Sequence, residues 1–99
     1  MASDMFESVA YKQVKASGNV WPKSAGLVGI FVSTIGTTPT ITVYDDSGTG
    51  TTVTLVDTFT PVAGTYYKLP FYALNGINVV IGGTGTTSAT VGFLPETMK

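Results

Sequence analysis

The 99-residue sequence has no cysteine, no histidine and no arginine. Without cysteine there is neither a disulfide framework nor a thiolate metal site. Without cysteine or histidine, nucleophilic catalysis is left with a Ser–Lys or Thr–Lys arrangement. Charge is scarce too. Charged residues make up 11% of the chain and the formal net charge is −1, against about 25% charged residues in ordinary globular chains. Five scattered lysines do not supply the phosphate neutralisation that drives nucleic-acid binding, so no nucleic-acid partner is expected. Apolar runs free of glycine reach only four residues, at 71–74, so no membrane span is expected. The start, "MASDMFESVAYK", carries Asp4 and Glu7 where a signal peptide needs positive charge followed by an apolar stretch, so export by that route is not expected.

What the sequence does contain is strand signal. The runs "VAYKQVK" (9–15), "LVGIFVS" (27–33), "TITVYD" (40–45), "TVTLVDTF" (52–59), "TYYKL" (65–69), "INVVIG" (77–82) and "ATVGFL" (89–94) are rich in β-branched and aromatic residues. Turn residues separate them at short intervals. Pro39, Pro61, Pro70 and Pro95 fall at run ends, where a missing amide donor does not harm a ladder. No ten-residue stretch has a 3.6-residue period. The chain is long enough for one domain, placed at 8–99, whose folding removes roughly 9,600 Å² from water, about 64% of the unfolded surface. Seven to eight strands with evenly spread turns predict an all-β, antiparallel two-sheet sandwich of jelly-roll or immunoglobulin-like type. Residues 1–7 read as a short N-terminal arm, polar except for Met5 and Phe6.

Successive strand side chains point to opposite faces, so parity assigns them. In 52–59, Val53, Leu55 and Phe59 share one face, and Thr54 and Thr58 lie on the other. In 27–33, Val28, Ile30 and Val32 oppose Leu27 and Phe31. A strand apolar on both sides, like this one or 77–82, belongs at the centre of a sheet or beneath a second layer or partner.

The segment "TITVYDDSGTGTTVTLVDTF" (40–59) holds Asp45, Asp46 and Asp57 around two glycines. Read as a hairpin centred near 48–49, it offsets Asp45 and Asp57 by roughly 13 Å at ordinary strand rise, too far for a glycosidase carboxylate pair. Counted from Asp45, position twelve of a calcium loop is Val56, so the EF-hand pattern fails. Asp, Ser and Gly are what a turn between strands prefers, and no metal ligand is assigned. The clusters "GTGT" (48–51) and "GGTGTT" (82–87) lack the lysine and following helix of a phosphate loop and read as hairpin tips. Lys23–Ser24 and Lys12 near Ser8 are adjacent only in sequence. No catalytic or cofactor-binding residue is assigned, and an enzyme is not expected.

Trp21, Tyr66, Tyr67, Phe71 and Tyr72 offer material for a carbohydrate-stacking platform. The plainer reading is core and cross-strand packing, with one of Tyr66 and Tyr67 inside and one outside. A net charge near zero favours association over a solvated monomer. Partner contacts are accordingly placed on Met5, Phe6, Trp21 and Tyr67.

In order along the chain, "AYKQVKASGNV" (10–20), "AGLVGIFVS" (25–33), "PTITVYDDSGTG" (39–50), "GTYYKLP" (64–70) and "GINVVIGGTGTTSATVGF" (76–93) resemble small structural proteins of tailed bacteriophages. The likeness covers nearly the whole chain. It implies a virion component, made in the host cytoplasm and carried on the capsid surface. Its expected role is head decoration, as a cement protein binding the major capsid protein. The resemblance also implies a homo-oligomer, a trimer before a dimer, with no catalytic residues and no cofactor. The alternatives are a glycan-binding module and a tail or fibre component. The fold itself is tested by far-UV circular dichroism. Strand with almost no helix is expected, and a helix content above about a quarter would overturn the architecture.

Overall fold

A computed structural model of the chain describes residues 9–95. The expected arm at 1–7, with Met5 and Phe6, lies outside the described residues. Eight strands follow in order: β1 (Ala10–Val14), β2 (Gly18–Trp21), β3 (Ala25–Thr34), β4 (Thr37–Asp45), β5 (Thr54–Phe59), β6 (Thr65–Ala73), β7 (Ile77–Thr84) and β8 (Ser88–Pro95). There is no helix among the described residues. The strands form two antiparallel sheets of four, β1-β8-β3-β6 (sheet I) and β2-β7-β4-β5 (sheet II).

This is the expected two-sheet sandwich, and its strand order is that of a jelly roll. Strand 1 pairs with 8, 2 with 7, 3 with 6 and 4 with 5, as if one long hairpin folded at β4–β5 were rolled up. Consequently only the β4–β5 connection stays within a sheet; every other connection crosses between sheets. Of residues 82–87, read from sequence as a hairpin tip, 82–84 end β7 and 85–87 are such a crossover, leading to β8. The segment 40–59 is the one true hairpin.

The strands with apolar residues on both faces lie centrally, β3 between β8 and β6 and β7 between β2 and β4. Between the sheets, Leu27, Ile30 and Val32 of β3 meet Ile41 and Val43 of β4 and Val79 of β7, all at most 2% exposed. Each such side chain contributes roughly 1.5–3 kcal/mol by burial, and β-branched chains suit a pleated surface. Two aromatic pairs close the flanks. Trp21 of β2 lies on Phe93 of β8 with ring centroids 5.3 Å apart, and Phe59 of β5 on Tyr67 of β6 at 4.9 Å.

Irregular register corrects the parity reading in two places. In β3 a register shift falls between Leu27 and Gly29, so Leu27 joins Ile30 and Val32 inside, while Val28 turns outward beside exposed Phe31. In the pairing of β5 with β4, shifts occur on both sides of Val43 of β4. Leu55 and Val56 are therefore both half-buried, and Val53 lies outside the strand, exposed. An extra residue bends a strand and swaps its faces, which strict alternation does not foresee. Two prolines also sit inside strands rather than at run ends. Pro70 lies within β6, an edge strand. Pro39 lies in β4 beside Thr38, whose φ of 50° accompanies the shift between Thr37 and Thr40. Edges and bulges are where a missing N–H is tolerated. Strand β2 is absent from the sequence reading because half of its four residues are Gly and Asn, which propensity assigns to turns.

One end of the sandwich is organised by Asp45, the last residue of β4 and 7% exposed. Its carboxylate accepts from the amides of Leu74 (3.0 Å), Asn75 (2.7 Å) and Gly76 (3.3 Å) in the β6–β7 crossover. Asp45 N donates to Val53 O and Asp46 N to Gly76 O, which binds the β4–β5 loop to the same point. A Cβ on Gly76 would stand 2.5 Å from Asp46 O and 2.6 Å from Trp21 O, so a side chain there would push β2 and the loop apart. A buried carboxylate is tolerable only when hydrogen-bonded. Asp45→Asn keeps the shape but turns an NH₂ toward amide donors. It is expected to cost about 1.5–3 kcal/mol, the worth of a hydrogen bond to a charged group, read as a lowered midpoint in urea. A loss under about 0.5 kcal/mol, the level of an ordinary surface substitution, would show that the carboxylate does not hold this end together.

Candidate functional site

The two outer faces of the sandwich differ sharply. On sheet II the outward residues of β4 are Thr40, Thr42 and Tyr44, paired with Gly82, Val80 and Asn78 of β7. The Thr42 and Thr58 hydroxyls share a 2.6 Å hydrogen bond. The loop at 46–50 lies back over this face instead of projecting. Asn19 Nδ2 donates to Gly48 O (2.7 Å) and Asp46 O (3.2 Å), and buried Asn78 Nδ2 to Gly50 O (3.0 Å). Asp46 Oδ2 accepts from Gly48 N and Gly50 N at 2.8 and 2.9 Å. This is a polar face under a tied-down loop.

Sheet I turns outward an apolar face. Its register places Tyr11 of β1 opposite Gly92 of β8, Phe31 of β3 between Thr90 and Tyr66, and Gly26 between Leu94 and Tyr72. Tyr11 is 71% exposed, Tyr66 54%, Tyr72 49% and Phe31 42%. Glycines form the floor. The Tyr66 ring leans over Gly29, where a Cβ would collide with it and lie 2.6 Å from Tyr67 O. Val9 lies over Gly92, with Cγ2 3.4 Å from where a Cβ would be, and a Cβ at Gly26 would meet only Leu94 O, at 4.0 Å. Lys68, opposite Gly29, is the one lysine within the strands of sheet I that alternation places on this face, and no carboxylate of the described residues shares it.

Tyr66 and Tyr67 divide as expected, one outside and one inside. Trp21 and Tyr67, named from sequence as partner contacts, are half-buried between the sheets on Phe93 and Phe59, and the Tyr67 hydroxyl accepts from Val62 N at 2.9 Å. Tyr66 and Tyr72, grouped with them from sequence, stand on the sheet I face. Tyr11, Phe31 and Leu94 complete that face and were not singled out. Their outward position depends on the pairing of β1, β8 and β6 around β3 and on the shift at Val28–Gly29.

The acidic residues among those described are occupied within the fold. Asp45 and Asp46 each accept backbone amides, and Asp57, exposed, accepts from Thr58 N at 2.9 Å. Asp57 lies four residues along the chain from Val53, the partner of Asp45. Among the described residues no three acidic side chains gather in one place. Lys12 Nζ donates to Asn19 O at 3.0 Å, bridging the edge strands of the two sheets. Every buried side-chain N or O among the described residues has a hydrogen-bond partner.

No protein-family model, characterised protein or solved structure matches this chain.

With its oxygens already accepting amides, the 45–50 loop is expected to ignore calcium. Millimolar Ca²⁺ should leave Tm unchanged, since a ligand that binds only the folded state must raise it. A clear rise that disappears in Asp46→Ala would show a cation site there.

Proposed function

We propose that this chain is a non-enzymatic structural protein of a tailed-phage virion: a decoration, or cement, protein that binds the major capsid protein on the head surface and stabilises the lattice. The observation that carries this reading is the outer face of sheet I, apolar and almost free of charge among the described residues, whose carboxylates accept backbone amides of their own chain. Such a surface serves contact with other protein, since exposed apolar patches of this kind mark interaction sites. The jelly-roll order supports the reading as an architecture of viral capsid and lectin domains, and the sequence resemblance selects the virion between these two. Fold alone does not fix function.

Attachment to the lattice is assigned to the segment 1–7. Burial of Met5 and Phe6 against a neighbour contributes roughly 3–6 kcal/mol before ordering costs, and repetition over a lattice multiplies a weak contact. Co-sedimentation with empty heads of the phage that encodes the chain tests this. The full chain should pellet with the heads and raise their resistance to heat. A chain lacking 1–7 should melt at an unchanged temperature and pellet less. Failure of the full chain to bind heads would refute the function; equal binding by both chains would refute the role of the segment.

A further inference from the structure

We infer that the outer face of sheet I is the contact surface between two copies of this chain, which stack face to face about a two-fold axis. The inference rests on the structural-protein reading above and names the partner of its apolar face.

The other surfaces suited to self-contact are closed. Free strand edges are the usual route to pairing between β-proteins. Here β6 carries Pro70, β5 is twice out of register, and β1 and β2 are five and four residues long. The outer face of sheet II is hydroxyl- and amide-lined beneath the 46–50 loop. Other exposed apolar side chains, such as Ile35 and Val62, belong to connections between strands. Among the described residues, sheet I alone offers a broad apolar face.

Its size suits a second copy. Strands β8, β3 and β6, of eight to ten residues, with the five-residue β1 at the edge, cover roughly 20 by 28 Å at ordinary strand spacing and rise. Two such faces in contact hide an area on the order of the 800 Å² per partner of a stable interface. Its aromatic side chains supply the residue types that dominate interface energetics.

Its chemistry also points to itself. A different protein partner is ordinarily selected by charge complementarity, and among the described residues the strands of this face hold Lys68 and no carboxylate. A saccharide site sets a few convergent polar groups beside its rings, whereas the outward amide here is Gln13 alone, at the β1 edge. Two near-neutral apolar faces need no opposite charge, and a net charge of −1 gives little repulsion between copies. Gly26, between Leu94 and Tyr72, carries no side chain, and a Cβ there would meet only Leu94 O at 4.0 Å, so a side chain of the opposing copy can approach the backbone. Contact between identical surfaces is isologous and closes at two chains, whereas a three-fold ring needs two different surfaces. The pair therefore differs from the trimer implied by resemblance.

Sedimentation equilibrium at micromolar concentration tests this with the full chain, Phe31→Glu, Tyr11→Glu, and Thr54→Glu as a control on sheet II, each checked for an unchanged strand spectrum. The full chain should show twice the 10.3 kDa of one chain. Phe31→Glu should weaken association by roughly 30-fold or more, the range of an interface hot spot. Tyr11→Glu, on an exposed edge strand where folding is not at stake, should weaken it too, and Thr54→Glu should not. A one-chain mass for the full protein overturns the inference. So does a pair that survives both face variants or dissociates equally in the control, and so does a three-chain mass. A monomer whose Tyr66 and Tyr72 signals respond to a panel of oligosaccharides would assign the face to a glycan instead. Loss of head binding with the pair intact would refute the virion reading and leave this inference standing.

Discussion

The carboxylate of Asp45 is the point on which one end of the roll converges. In a jelly roll, neighbours in sequence are seldom neighbours in a sheet, so most turns must be held by something other than a ladder. Asp45 holds the β6–β7 crossover through three amides while its own N–H fixes the start of the β4–β5 loop. Gly76 lets that crossover pass between Trp21 and Asp46 without a side chain between them. The buried charge faces three N–H dipoles, which replace the water it has lost. Both sheets meet there: β6 belongs to sheet I, β4 and β7 to sheet II.

The difference between the two outer faces follows from local irregularity. The shift at Val28–Gly29 moves Leu27 into the core and leaves Phe31 outside. Gly29 in turn provides the space into which the Tyr66 ring leans. On sheet II, Asn19 and Asn78 point outward but are consumed by the 46–50 loop. One face is thus covered by the chain itself and the other left open. Scarce charge has a matching consequence. The described carboxylates are engaged with backbone amides, so the open face is dominated by apolar side chains and glycine.

Much of the architecture was legible in the sequence because alternation of apolar and polar residues is a local property. Seven of the strands, the central placement of β3 and β7, and the division of Tyr66 from Tyr67 follow from it. The candidate face was legible only in part. Tyr66 and Tyr72 stood out as aromatics, but Trp21 was grouped with them although it packs between the sheets. Tyr11, Phe31 and Leu94 lie 20 to 83 residues apart in the chain and share a surface only because β1, β8 and β3 are adjacent. Asp45, read as part of its own turn, serves a turn 30 residues away.

The sequence by itself determined that the chain is all-β, poor in charge and without the usual nucleophile–base pairs. Composition and period-two patterning are properties of residues and their immediate neighbours. Tertiary structure decided the strand order, the faces on which β3 and β5 turn their side chains, and the residues that share the open surface. Each depends on which distant strands pair and where an extra residue breaks register. A one-residue shift reverses every side chain beyond it and carries no signal that a single strand can display.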